Sequence, residues 1–353
     1  MDFLTSATLI HPSGETTTYY TGGSPAGTPL IFIHGWPDLA QSWHHQLRYF
    51  TSPPFDKRYC VYALDMRGYA NSSGPHHKSA YSLKTLVSEL VDFAHQLNID
   101  KAVWIGHDWG AAIVSSLAAH HPSLFLGMTL LCVPYRTLEL GLLHTLSLIN
   151  RSLYPKEEYP YGQWEYMAAY SSSPSTAMTA YSSLELEKWT KLLYVRHDPS
   201  RYGRPAHTSR VLRDGWFAGR PDLIPDLPME ATSLDQPLYE ALLESHRKHG
   251  FFPPTAYYLN HEANAEYAKS EAGDGKLEFP VLYVDAKHDA VCSPSTTPRM
   301  ADGQRASVKD LTVEVVEASH WVMLEKPAEM NSALERWLGS RLELGRSGSG
   351  SQV

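Results

Sequence analysis

The stretch Ala102-Val103-Trp104-Ile105-Gly106-His107-Asp108-Trp109-Gly110 decides the fold of this chain. Its first four residues form a short apolar run of the kind expected for a strand buried on both faces. Ala111 to Ala119, which follows, is a run of small residues suited to a helix packed closely on a sheet. Between strand and helix stand two glycines around a central Asp, so the chain turns sharply and lifts the Asp108 side chain out of the sheet. The backbone N–H groups that come next lie at a helix start, where they favour negative charge.

The same alternation continues on either side. Leu30-Ile31-Phe32-Ile33, Val61-Tyr62-Ala63-Leu64 and Met128 to Val133 are further apolar runs, and Leu83, Leu86, Val87, Leu90, Val91 and Ala94 recur at helical spacing. Strands alternating with helices predict a mostly parallel sheet flanked by helices. A weaker hairpin signal around Ser13-Gly14 precedes it. The alternation stops near Pro134 and resumes at Phe279 to Val284, followed by Leu311 to Val316 and an amphipathic helix from about Pro327 to Leu342. The stretch between holds Tyr, Pro and helical patterns (Leu184 to Tyr194, Leu238 to Arg247, Ala256 to Ala268) without strand runs. It reads as an inserted helical lid, residues 136–276, closed by the turn Gly273-Asp274-Gly275. Residues 1–135 plus 277–353 form the α/β core. The Gly- and Ser-rich tail from Gly345 reads as a frayed end.

The chain has 353 residues, enough to bury a large core. Its 30 Lys and Arg against 38 Asp and Glu give a net charge of −8 with no basic cluster, which argues against a nucleic-acid partner. Cys60, Cys132 and Cys292 are odd in number and widely spaced, fitting neither a disulfide framework nor a zinc site and suggesting a reducing compartment. The N-terminus lacks the pattern of a secretory signal, and no apolar run approaches the roughly 20 residues of a membrane span. A cytoplasmic protein is expected. The adjacent pairs His44-His45, His76-His77 and His120-His121 point their side chains apart, so no metal is expected there.

Asp108 itself indicates the chemistry. A carboxylate with an ordinary pKa of about 3.9 is ionised at neutral pH and can attack a saturated carbon without a base. The product is an ester on the enzyme, and its hydrolysis then needs an activated water. An Asp before a helix is usually a cap, but a cap needs neither the flanking glycines nor the buried strand. His320, presented by Ser319-His320-Trp321 after the last strand, is the candidate base. Asp289, in the loop Asp285-Ala286-Lys287-His288-Asp289-Ala290, is the acid that would orient it, and the chain order nucleophile, acid, base suits a nucleophile on such a turn. Asp285 is the rival but lies closer to its strand. In His34-Gly35-Trp36-Pro37 the glycine permits close approach, and the Trp36 N–H can join that of Trp109 as an oxyanion hole. The bond before Pro37 is a candidate cis peptide. Trp36, Trp109 and Trp321, with His34 and Pro37, are expected to line an apolar substrate pocket. His107 supports the turn, and Cys292 reads as a packing residue.

Together, His34-Gly35-Trp36-Pro37, Gly106-His107-Asp108-Trp109-Gly110, Asp65-Met66-Arg67-Gly68-Tyr69 and Ser319-His320-Trp321 resemble the motifs of α/β-hydrolase-fold epoxide hydrolases of the soluble type, over almost the whole chain. The resemblance implies an α/β-hydrolase fold and conversion of an apolar epoxide to a vicinal diol without a cofactor, by a monomer or homodimer. It also implies two lid tyrosines that hydrogen-bond the epoxide oxygen. Glu165-Tyr166-Met167 and Pro254-Thr255-Ala256-Tyr257-Tyr258 resemble the segments that carry them, which gives those roles to Tyr166 and Tyr258. Glu165 and Met167 stand where the family more often has Asp and Gln, and Ala70 where it often has a second glycine. The alternatives are a haloalkane dehalogenase, an epoxide-opening cyclase, and a non-catalytic ligand receptor on the same scaffold. The lid tyrosines favour the epoxide over the halide, and retention of Asp108, Asp289 and His320 argues against a receptor.

Overall fold

Eight strands build one sheet in the order β1-β2-β4-β3-β5-β6-β7-β8. The structure, a computed structural model, describes residues 1–172, 183–196, 198–214 and 221–347. The strands are β1 Thr5–Ile10, β2 Thr16–Gly23, β3 Thr28–Ile33, β4 Tyr59–Leu64, β5 Ala102–His107, β6 Phe125–Leu131, β7 Leu277–Ala286 and β8 Val308–Val316. The hairpin β1–β2 joins β4 antiparallel, and every pairing from β4 to β8 is parallel. In β3 the four residues Leu30 to Ile33 are completely buried, as are Val103, Trp104 and Ile105 of β5. Each such aliphatic side chain contributes about 1.5–3 kcal/mol by leaving water, which is why the centre of the sheet carries no polar alternation.

The helices Leu83–Gln96, Trp109–His120 and Pro327–Ser347 flank this sheet. Ser82 caps the first of them by accepting the Thr85 N–H. Between β6 and β7 the described residues form helices and turns, and their one strand-like pairing is the bridge Val195 to Thr232. No helix among the described residues is long and apolar enough to cross a membrane.

Three local readings differ from the sequence expectation. β6 ends at Leu131 because Cys132 takes φ +68°, although its N–H still donates to the Val284 carbonyl of β7 at 3.0 Å. The helical pattern 256–268 breaks into Phe252–Ala256, the turn Tyr257–Leu259 and His261–Ala268. Asn260 makes the break by donating its side-chain amide to the carbonyls of Ala256 (2.9 Å) and Lys78 (2.7 Å). The last helix runs through Gly345 to Ser347, and the remainder of the expected tail, 348–353, lies outside the described residues. The expected turn Gly273-Asp274-Gly275 is present, with φ +58° at Gly273, +56° at Asp274 and +70° at Gly275.

The corner after β5 depends on close backbone approach. A Cβ on Gly106 would sit 2.5 Å from the Gly110 carbonyl oxygen, and one on Gly110 would strike the carbonyls of Ile33 and His34. Gly106→Ala and Gly110→Ala should therefore each lower stability by about 1–3 kcal/mol in urea unfolding. Gly339→Ala in the last helix, where an added Cβ would meet nothing within 4 Å, should instead raise it by roughly 0.5–1 kcal/mol. Equal effects at all three positions would refute this account of the corner.

Candidate active site

Asp108 stands at the corner with φ +53° and ψ −121°, and its side chain makes no capping bond to the helix it precedes. The turn aims the carboxylate back across β3. There Oδ1 accepts the Trp36 N–H at 2.7 Å, and the Trp109 backbone N–H lies near enough to favour the carboxylate's charge. Gly35 is what admits this contact, since a Cβ there would lie 2.5 Å from the Asp108 Cβ. The Trp36–Pro37 peptide is cis, as the sequence suggested.

The loops after β7 and β8 bring the other two members in. His320 Nδ1 hydrogen-bonds Asp289 Oδ2 at 2.6 Å, and His320 Nε2 faces Asp108 Oδ2 at 3.7 Å. Asp289 Oδ1 accepts the N–H groups of Val291 (2.8 Å) and Cys292 (3.0 Å), which fixes the carboxylate. Asp285 is occupied elsewhere, accepting from Ser293 and Ser295. The His320 carbonyl receives two further donors, the His107 Nε2–H at 2.8 Å and the Cys132 thiol at 3.0 Å. His107 thus supports the base loop as well as the turn.

The charges follow from this packing. Burial alone would raise the Asp289 carboxyl, but the His320 charge and the hydrogen bonds it accepts hold it below its ordinary value. Burial raises Asp108, opposed by His320 and the two backbone N–H groups. His320 is pushed down by burial, yet Asp289, Asp108 and Asp38 together lift it to about 9. In the resting site the neighbouring carboxylates therefore favour the protonated imidazole.

Aromatic rings wall the space above Asp108. Tyr258 packs edge-on to Trp36 (5.5 Å) and Trp109 (5.2 Å) and meets Tyr166 at 5.5 Å. Burial, with the Asp108 charge among the lesser causes, raises both phenols well above 10, so both are neutral donors. Tyr170, one helical turn after Tyr166, joins the same cluster at 5.3 Å from Tyr258. It was not singled out from sequence, although its i+4 spacing from Tyr166 was the available signal.

Three expected pocket residues also serve the frame. His34 donates Nδ1–H to the Gly35 carbonyl and accepts the Met66 N–H at Nε2, both at 2.9 Å, which leaves it no polar atom for a substrate. Trp321 donates its indole N–H to the Leu193 carbonyl at 2.7 Å and stacks on Tyr194 at 3.9 Å. Pro37 is buried and accepts the Tyr194 hydroxyl at its carbonyl, 2.8 Å away. Asp38, also missed from sequence, is fully buried. Its Oδ1 accepts from the Leu39 N–H, Ser42 and Tyr194, and burial lifts the carboxyl to about 7. Among the described residues the groups whose donor atoms could converge on a metal are His107, Cys132 and His320, and Asp289, Cys292 and His320.

A family model described as alpha/beta hydrolase fold matches residues 28–327. The chain is 29% identical over 335 residues to bifunctional epoxide hydrolase 2 of Sus scrofa, covering 94% of this chain and 54% of the relative. It thus spans about half the length of that relative. It is 25% identical over 332 residues to epoxide hydrolase A of Mycobacterium tuberculosis, covering 94% of this chain and 96% of the relative. Among solved structures, a Vigna radiata epoxide hydrolase mutant superposes with a TM-score of 0.75 at 23% identity, covering 96% of this chain and 100% of the other.

The buried charges also set a pH dependence of stability. Asp38, Asp65 and Glu139 are each raised by burial to about 7, and His320 stands at about 9. A raised folded value means stability present below the unfolded pKa and lost as pH climbs through the folded one. Buried His34, His246 and His261, lowered to about 4, act only below their unfolded value of about 6.5. Above about pH 6.5, then, the shifted groups named here act with one sign, the three carboxyls only up to about 7 and His320 on to about 9. Tm should fall from about pH 6.5 to 9, and Glu139→Gln should flatten the slope only up to about pH 7, leaving the His320 part above it. A Tm that rises there would contradict these assignments.

Proposed function

The chain belongs to the alpha/beta hydrolase fold family, and on that premise we propose that it hydrolyses an epoxide to a vicinal diol through a covalent ester on Asp108. The observation that carries the proposal is the division of labour between the two Asp108 oxygens: Oδ1 is held by the Trp36 N–H, and Oδ2 faces the reacting space and His320. Oδ2 attacks an epoxide carbon, the C–O bond breaks, and the oxygen leaves as an alkoxide stabilised by the hydroxyls of Tyr166 and Tyr258. Oδ1 becomes the ester carbonyl oxygen, already held by the Trp36 N–H, and the Trp109 N–H is the second donor assigned to the anion when water adds.

The elevated His320 fits this order of events. While Asp108 is an anion it helps to keep the imidazole protonated. Alkylation removes that charge, so His320 loses part of what held its proton and becomes available as the base for the second step. Asp289 keeps the Nδ1–H tautomer, leaving Nε2 to take a proton from water. The helical insert 136–276 acts as a lid that supplies the phenols and keeps the site apolar, over a core of 1–135 and 277–353. The substrate class is a small, mainly apolar epoxide, in keeping with the ring-lined wall and with what the named relatives are called.

Single turnover in heavy-oxygen water should place label in Asp108 and leave the first diol unlabelled, read by peptide and product mass spectrometry. In His320→Gln the ester should accumulate to one equivalent, because alkylation does not need the base. Label in the first diol, with no adduct in the variant, would eliminate the covalent route. Tyr258→Phe and Tyr166→Phe should each slow alkylation by about 10-fold, and the double variant by about 10²–10³-fold, in rapid-quench assays. An unaffected alkylation rate in the double variant would remove the phenols from the reaction.

A further inference from the structure

Two of the three cysteines converge on the acid–base pair from separate elements. Cys132 leaves the end of β6 and donates its thiol to the His320 carbonyl at 3.0 Å. Cys292 sits in the loop after β7, directly behind Asp289, whose carboxylate accepts the Cys292 N–H. A carboxylate oxygen of Asp289, the Cys292 sulfur and a ring nitrogen of His320 all lie within 4.8 Å of one another, and Cys132, His107 and His320 form a second such group. Asp289 and Cys292 are each 2% exposed, while the His320 side chain is 25% exposed and opens the cluster to the space beside Asp108. Thiolate, imidazole and carboxylate within this reach make a donor set for a borderline or soft divalent ion.

We propose that the Asp289–Cys292–His320 cluster is an inhibitory binding site for one thiophilic divalent cation, Zn²⁺ or Cd²⁺. The ion takes the place of the proton between His320 Nδ1 and Asp289 Oδ2. Two ligand atoms on one tetrahedral zinc lie about 3.2–3.5 Å apart, given metal–ligand distances of about 2.0–2.1 Å. The present separation of 2.6 Å must therefore open by under about 1 Å. Binding releases two protons to solvent, one from His320 Nδ1 and one from the Cys292 thiol, and so tightens as pH rises. The imidazole is left with its remaining proton on Nε2, the atom that must accept one from water. Inhibition by the ion is thus specific to the second half of the reaction, and attack by Asp108 proceeds.

This mode of inhibition rests on the ester pathway proposed above, but binding does not, and the experiment separates them. Titration of the full-length enzyme with Cd²⁺ should give a sulfur-to-metal charge-transfer absorbance that saturates at one equivalent, vanishes with EDTA and is absent in Cys292→Ser. Cys60→Ser, which alters a buried thiol on β4, should keep it. In single turnover with an aryl epoxide, Cd²⁺ should stop diol release while the Asp108 ester accumulates, and EDTA should restart it. Cys292→Ser should resist Cd²⁺ at least tenfold relative to its own metal-free rate. No saturable absorbance, or the same absorbance in Cys292→Ser and Cys292→Ala, would overturn the site. Saturable binding with diol release untouched, or with alkylation blocked, would overturn the mode of inhibition. If no ester forms even in metal-free His320→Gln, the fault lies in the reaction assigned to Asp108, and the absorbance still decides the site.

Discussion

The approach of two backbones at the end of β5 is the constraint on which the rest depends. Asp108 reaches the Trp36 N–H only because Gly35, Gly106 and Gly110 leave no Cβ in the way. The strained φ of +53° at a non-glycine residue is tolerated because the strand before it and the helix after it over-determine the turn. Everything else in the site is arranged around the carboxylate so placed. β7 and β8 contribute the loops that carry Asp289 and His320, and the insert between β6 and β7 contributes the rings above.

Much of this was legible in the sequence, for a physical reason. The buried parallel strands announce themselves as uninterrupted apolar runs, and the corner as small residues around one charged one, because both depend on residues close together in the chain. The meeting of Asp289 with His320, and the seating of Asp108 by Trp36, followed from placing each residue at the end of its strand. The preference for Asp289 over Asp285 agrees with the hydrogen bonds, since Ser293 and Ser295 occupy Asp285.

What was not legible depends on partners remote in sequence. Nothing local told that His34 would spend both ring nitrogens on Gly35 and Met66, or that Trp321 would bond to Leu193. The clamp on the His320 carbonyl joins residues 188 and 213 positions apart. The break within 256–268 was hidden because apolar periodicity runs across it, whereas the cause is one Asn260 amide turned onto the backbone. Asp38 gave no signal because an Asp after a proline reads as an ordinary loop residue until its burial is known.

The indole of Trp321 has one more implication. It is the immediate neighbour of His320 in the chain, yet its N–H is satisfied by a carbonyl of the inserted helices. Moving that part of the insert would break this bond, at roughly 0.5–1.5 kcal/mol, and would disturb the ring stacked on Tyr194. A shift of Leu193 would therefore be passed directly to the chain neighbour of His320.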